Sequence, residues 1–206
     1  HRLEGTFHCN GQEHFYLESQ AVLVVPGEED QLHVHSSTQN TSEIQQVVAE
    51  ALNLGFHQVV AVCKRMGGGF GGKETQAAIP AVMASLVAYH LKRPARMIFT
   101  KDDDMKTTGK RHPFLICYKS AYTSEGRITG LEVKLFSNGG AYADLSTAIM
   151  ERAMLHSDNA YFIPNVLIKG QVCRTNLPPN TALRGFGGPQ GLSLIHISEP
   201  TRPSQI

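Results

Sequence analysis

The residues with the most chemical potential form one run, Gly67-Gly68-Gly69-Phe70-Gly71-Gly72-Lys73-Glu74. Five glycines around one phenylalanine cannot build a packed core. They let the main chain approach another molecule closely and adopt positive φ values that a Cβ forbids. The run follows an apolar strand-like segment, residues 59–63, and leads into a helix-like segment over residues 75–91. A glycine turn between strand and helix points amide N–H groups and the positive helix end at one spot, which suits a phosphate, an oxo group or another anion. Gly67, Gly69 and Gly72 match the dinucleotide fingerprint, but Lys92 stands where a ribose-binding acid is expected, leaving only Asp102 at a longer spacing. Gly67 to Lys73 also match a P-loop, but Glu74 replaces the magnesium-binding Ser or Thr and would repel phosphates. A glycine turn without a ligand is the alternative, and so much glycine in so short a span weighs against it.

The elements that must carry this loop can be read from periodicity and punctuation. Residues 21–25 and 32–35 read as strands around Pro26-Gly27. Thr41 and Ser42 can cap a helix to about Leu52, with Gln45 as the capping-box partner of Ser42 and Gly55 as its stop. Ile44, Val47, Val48, Ala51 and Leu52 share one face of it. The strand at 59–63, the glycine loop, the helix at 75–91 and a strand at 95–100 can support a parallel crossover. Asp102-Asp103-Asp104 reads as a solvated helix start. Residues 114–122 and 128–136 flank a hairpin signal at Ser124-Glu125-Gly126, and Asn138-Gly139 reads as a further turn. A helix over 145–155 and a strand over 166–174 follow. The fold class expected is α+β, with mixed parallel and antiparallel sheets and helices.

Composition narrows the function. The 206 residues are 41% hydrophobic and 18% charged, an ordinary globular balance, and the net charge of +1 shows no pull toward nucleic acid or an anionic membrane. No apolar stretch approaches the ~20 residues of a membrane span. Cys9, Cys63, Cys117 and Cys173 lie far apart, so zinc or iron–sulfur ligation within this chain is not expected. Cys63 and Cys117 read as buried small hydrophobes in a reducing, cytoplasmic setting. His33 and His35 alternate on a strand, but two histidines alone make a weak metal site. His1 to Gly5 shows no initiator Met and no signal peptide, so the chain is expected to be a piece of a longer one. Leu192 to Arg202, LSLIHISEPTR, matches the translation of a common transposase sequencing adapter. Residues 1–191 are therefore expected to be the genuine domain and residues 192–206 a foreign tail.

Several other segments share the character of the glycine loop: GQEHFYLE (Gly11 to Glu18), STQN (Ser37 to Asn40), GKRHPF (Gly109 to Phe114), IMERA (Ile149 to Ala153) and TALRGFGGPQ (Thr181 to Gln190). Together with KRMGGGFGGKET (Lys64 to Thr75), in this order, they resemble the molybdopterin-binding region of xanthine dehydrogenases, in the molybdenum hydroxylase family. The resemblance runs through nearly all of residues 1–191. It implies hydroxylation of an electron-poor ring carbon of hypoxanthine or xanthine, with water as the oxygen source, on a molybdenum–molybdopterin cofactor. It also implies 2Fe-2S and FAD groups on other domains or subunits, a dimeric complete enzyme, and a cytoplasmic location. An aldehyde oxidase-like relative and a nucleotide-binding module remain the alternatives.

The resemblance also implies roles. Gln12 matches a glutamine that bonds a molybdenum oxygen ligand; read alone, it is a surface turn residue. Phe70, between Gly69 and Gly71, matches a residue whose main chain lies beside the metal, although its ring can also fill a core gap. Glu74 matches a substrate-binding glutamate; the plainer reading is a first-turn helix acid. Arg184 matches an arginine that bonds a substrate carbonyl and stabilises negative charge there; the plainer reading is a solvated loop cation. No role follows for Arg111-His112-Pro113. Nothing matches the surroundings of the family's catalytic glutamate, so no catalytic base is assigned and the chain alone is expected to show no turnover.

Overall fold

The computed structural model describes residues 1–198. In chain order the elements begin β1 (Arg2–Cys9), β2 (Ala21–Pro26), β3 (Leu32–Ser36), α1 (Thr41–Leu52), β4 (Val59–Val62), α2 (Ala78–Leu91) and β5 (Ala95–Ile98). They continue with α3 (Lys101–Thr107), β6 (Phe114–Tyr122), β7 (Ile128–Gly140), α4 (Ser146–Leu155), β8 (Val166–Arg174) and α5 (Gly188–Ser198). The chain divides into two compact units, one of residues 13–109 and one of residues 1–12 with 110 onward. Both are α+β with mixed sheets, as expected.

The unit of residues 13–109 carries a sheet in the order β4-β3-β2-β5. Its one adjacent parallel pair is β3 with β4, joined by α1; β2 runs antiparallel to both β3 and β5. The expected crossover through α2 therefore joins the two edges of the sheet, not neighbouring strands. Alternation puts Val22, Val24, Leu32 and Val34 on the helix-covered face, against Ile44 and Val48 of α1 and Ala81, Ala84 and Ala88 of α2. Pro80 falls in the first turn of α2, where no intrahelical N–H is lost. The cap of α1 is not Ser42 with Gln45. Asn40 accepts from Glu43 N at 3.1 Å and donates to the Glu43 carboxylate, and Asn53 ends the helix in the left-handed region before Gly55 is reached. Gln45 is instead drawn to the Phe56 and Val59 carbonyls.

Asp104 is not solvated. It is buried and accepts from Tyr16 Oη at 2.7 Å, Gln20 N at 2.8 Å and Thr108 Oγ1 at 2.9 Å, which ties α3 to the segment before β2. Burial, with the hydrogen bond to Asp104 and the charge of that carboxylate, holds the Tyr16 phenol well above its ordinary range.

The other unit has the sheet order β1-β6-β7-β8, antiparallel except for the parallel pair β7 and β8, which α4 connects. Phe114, Ile116, Val133 and Leu135 form its core with Met150 and Ala153 of α4. Strand β1 has no counterpart in the periodicity reading, because RLEGTFHC at a sheet edge alternates only between exposed and half-buried. Asn138-Gly139 is not a turn. Strand β7 continues through it with a register shift against β8, and Asn138 Oδ1 accepts from Gly140 N at 3.0 Å and Thr175 Oγ1 at 2.8 Å. Turn-forming residues here serve a β-bulge. Of the expected foreign tail, residues 192–198 lie in α5 and residues 199–206 lie outside the described residues. All four cysteines are free and half-buried, less enclosed than Cys63 and Cys117 were expected to be.

Candidate functional site

Four of the residues singled out from sequence, Gly69, Phe70, Gly71 and Glu74, share the loop between β4 and α2. Phe70 occupies the left-handed region at φ 53°, followed by Gly71 at 101°. A non-glycine residue held there costs about 1 kcal/mol, so the surroundings must fix it. Gly72 N donates to Gly69 O at 2.8 Å. Gln39 does the rest: its Oε1 accepts from Gly71 N at 2.8 Å and Lys73 N at 3.3 Å, and its own N–H donates to Lys73 O at 2.8 Å. A Cβ on Gly69 would lie 2.5 Å from Gln39 Oε1, so the glycine is what lets this carboxamide reach the loop. Gln20 Nε2 takes the Gly72 carbonyl at 2.9 Å. The Phe70 N–H meets no acceptor among the described residues, and its ring is 48% exposed.

Lys73 turns inward. Its ammonium is fully buried, bonded to Ser37 Oγ at 2.8 Å and Glu18 Oε2 at 3.4 Å, over the Tyr16 ring. Burial pulls its pKa below the ordinary value against the opposing pull of Glu18. For Glu18 burial acts upward, but the Gly67 N–H, Ser37 and Lys73 outweigh it and hold the carboxyl below its ordinary range. An ammonium so placed is withdrawn from any phosphate outside the loop, which removes the main support for a P-loop. Glu74, the next residue, is half-buried, and its carboxylate has no partner among the described residues.

Gln12 and Arg184 belong to the other unit, where Arg111 connects them. Arg111 is 7% exposed. It donates from Nε to Gln12 Oε1 at 3.1 Å, from Nη1 to Gln190 Oε1 at 3.4 Å and from Nη2 to the Arg184 carbonyl at 2.9 Å. Burial lowers its pKa, and its partners are neutral oxygens, with no carboxylate among the described residues. The Arg111 contact fixes the Gln12 carboxamide with its NH2 free and the residue exposed. Arg184 is exposed, its guanidinium unpaired among the described residues, at the entrance to a bend with Gly185 at φ 100°, Phe186 at 49° and Gly187 at 92°. A Cβ on Gly187 would lie 2.1 Å from Ile149 O, so this bend is pressed onto α4. Arg152, three residues on along α4, is a second exposed guanidinium without an acidic partner among the described residues.

Buried His112 pairs its Nε2 with Ser146 Oγ at 2.6 Å, and burial depresses its pKa to about 4, so it stands neutral. His33 and His35 recruit no third ligand: among the described residues no group of three or more His, Cys, Asp or Glu converges. The residues whose roles periodicity and spacing did not give are Gln39, Glu18, Arg111 and Lys73, the last marked only as a P-loop lysine. All four lie in quoted segments, but their roles depend on contacts across 30 to 100 positions.

A family model described as molybdopterin cofactor-binding domain matches residues 1–197. The chain is 51% identical over 192 residues to a xanthine dehydrogenase of Calliphora vicina, covering 93% of this chain and 14% of that protein. It is 50% identical over 195 residues to a xanthine dehydrogenase/oxidase of Gallus gallus, covering 94% and 14%. The chain thus spans about 14% of the length of these curated relatives. Among solved structures it is similar to the aldehyde oxidoreductase from Desulfovibrio gigas, with a TM-score of 0.83, 27% identity, and coverage of 92% of this chain and 21% of that one.

Proposed function

The chain belongs to the molybdopterin cofactor-binding domain family, and from that premise we propose that it forms part of the molybdenum-cofactor region of an enzyme hydroxylating hypoxanthine or xanthine with water as the oxygen source. One observation carries the reading. Within a single loop the N–H groups of Gly67, Gly71, Gly72 and Lys73 and the Lys73 ammonium are bonded internally, while a main-chain donor at Phe70 and the carboxylate of Glu74 meet no partner among the described residues.

The donors suit the cofactor. A metal–oxo group on a pterin dithiolate is rich in acceptors and needs neutral N–H donors rather than thiolate or imidazole ligands. The Phe70 N–H, supported by Gly69 and Gly71, is one. The carboxamide of Gln12, oriented by Arg111, is another, and the Gln39 carboxamide stands directly against the Phe70 bend. When bound, molybdenum–molybdopterin supplies the redox chemistry. The chain's own residues orient the ring and its charge. Glu74 shares a proton with the purine, and Arg184 bonds a ring carbonyl and stabilises the negative charge that gathers there. Arg152 offers a second cation on the helix beneath that bend. The complete enzyme carries 2Fe-2S and FAD groups on other domains or subunits, works in the cytoplasm and is a dimer. Residues 192–206 are the foreign tail; sequencing reads across codon 191 test this.

An aldehyde substrate is less well supported, because the aldehyde oxidoreductase likeness is at 27% identity against about half for the xanthine dehydrogenases. A nucleotide module is less well supported, because Lys73, at the P-loop position, turns inward to Glu18. The test is xanthine-dependent dye reduction by the intact protein, meaning the complete enzyme that contains this chain, with molybdenum measured in the same sample. Turnover of xanthine well above that of aldehydes is expected. Full molybdenum loading with no xanthine turnover would overturn the purine assignment.

A further inference from the structure

Residue 73 is pinned at every polar atom. Its N–H reaches Gln39 Oε1, its carbonyl accepts from Gln39 N and Thr38 Oγ1, and its ammonium is bonded to Ser37 and Glu18. Four of these contacts come from consecutive residues, 37 to 39. A single carboxylate oxygen, Glu18 Oε2, then accepts from Gly67 N at 2.8 Å, Ser37 Oγ at 2.7 Å and Lys73 Nζ at 3.4 Å. The carbonyl of Gly67 accepts in turn from Glu18 N at 3.1 Å. One residue therefore ties together the first and last positions of the glycine loop. The loop's glycines are entropically costly to hold, and nothing in their own side chains can hold them.

We infer that Lys73 and Glu18 act as a latch that fixes the direction of Glu74 and presents the Phe70 N–H, an inference that rests on the proposed purine-site reading. Both are positioning residues: neither needs to touch substrate or cofactor. An inward Lys73, with its main chain anchored on both sides, dictates the plane of the peptide that carries Glu74. With the latch closed, Glu74 keeps one orientation before substrate arrives, and the ordering cost is met on folding rather than on binding. Ser37 and Glu18 already bond each other at 2.7 Å, and the buried ammonium joins that pair to residue 73, which an apolar side chain there could not do.

Hydrogen exchange on the intact protein, as wild type, Lys73→Met and Glu18→Gln, tests this, with steady-state xanthine kinetics beside it. Glu18 is partly exposed, so Glu18→Gln keeps the test open if Lys73→Met fails to fold. The hydrogen-bonded amides of Gly67, Gly71, Gly72 and Lys73 should exchange at least tenfold faster in the variants while β2 and β3 keep their protection, and KM for xanthine should rise by a larger factor than kcat falls. Unchanged loop exchange in Glu18→Gln overturns the latch whatever the kinetics. So does a uniform loss of protection reaching β2 and β3, which would mark a structural role only. Accelerated loop exchange in a protein whose wild type does not turn over xanthine would support the latch and remove the purine reading instead.

Discussion

The bends at Phe70 and Phe186 share the letters Gly-Phe-Gly-Gly and the same conformation at their middle two residues, with phenylalanine at φ 53° and 49° and the following glycine at 101° and 92°. They are held by different means. At Phe70 the grip is polar and comes from side chains: Gln39, Gln20, Glu18 and Lys73. At Phe186 the grip is mainly steric, because Gly187 lies against the main chain of α4 at Ile149 and Gly191 against Ala153, with one side-chain bond, from Arg111 to the Arg184 carbonyl, at its entrance. A polar grip can be loosened one bond at a time while the fold persists. A steric one fails with the packing it belongs to. The first arrangement suits a site whose donors must be set finely, the second a bend that must simply stay put.

Substitutions should separate the two. Gly187→Ala carries the largest effect: its Cβ would collide with a carbonyl at 2.1 Å at a φ that only glycine takes easily, so a loss of about 3 kcal/mol or more is expected, read from a urea midpoint. Gly69→Ala meets the Gln39 side chain from Cγ at 2.9 Å to Oε1 at 2.5 Å, which can shift only by giving up its bonds to Gly71 N and Lys73 N, and a smaller loss of about 2 kcal/mol is expected. Equal losses would break the contrast.

Acid should discriminate next. The pKa of His112 is about 4 in the fold and 6.5 as its ordinary value, so between these limits the unfolded chain binds the proton first. The stability of its unit is then complete above about pH 6.5 and falls by about 3 kcal/mol as pH drops through the window. Hydrogen exchange of α4 and β7 at pH 4.5 and 7 reads this, and His112→Gln should flatten the pH dependence.

Two carboxamides give a smaller, sharper comparison. Gln39→Ala leaves Gly71 N and Lys73 N without their acceptor, whereas Gln12→Ala removes one contact of Arg111 at an exposed position. Molybdenum content of the purified intact protein should fall severalfold further for Gln39→Ala than for Gln12→Ala; the reverse order would make the Gln12 carboxamide the dominant donor and the support that Gln39 gives the Phe70 bend a minor one. Phe70→Gly should change least, since relief of the left-handed backbone, about 1 kcal/mol, offsets the loss of a half-exposed ring.

Local signals carried much of this architecture. Strands β6 and β8 have the bounds that their residue types mark, and α4 and α2 fall within a few positions of theirs. Misreadings arose where a local signal had a tertiary use. Asn138-Gly139 has turn chemistry, yet it forms a bulge because β8 supplies the partner at Thr175. Asp104 completes an acidic run that resembles a solvated helix start, yet Tyr16, 88 positions earlier, draws it inside. The glycine loop was legible as a place of close approach from its composition alone. What holds it was not, because Gln39 and Glu18 lie 32 and 49 positions from the amides they bind, and no periodicity joins a carboxamide to a distant N–H.

The central claim is that the Glu74 carboxylate is left unpaired in order to meet a purine beside the molybdenum cofactor. Glu74→Gln in the intact protein tests it most directly, with xanthine kcat/KM, molybdenum content and thermal midpoint measured on one preparation. The account predicts at least a hundredfold loss in kcat/KM, with metal content and midpoint unchanged, since no intramolecular bond is removed. Wild-type kcat/KM for xanthine in a fully loaded Glu74→Gln protein would contradict it.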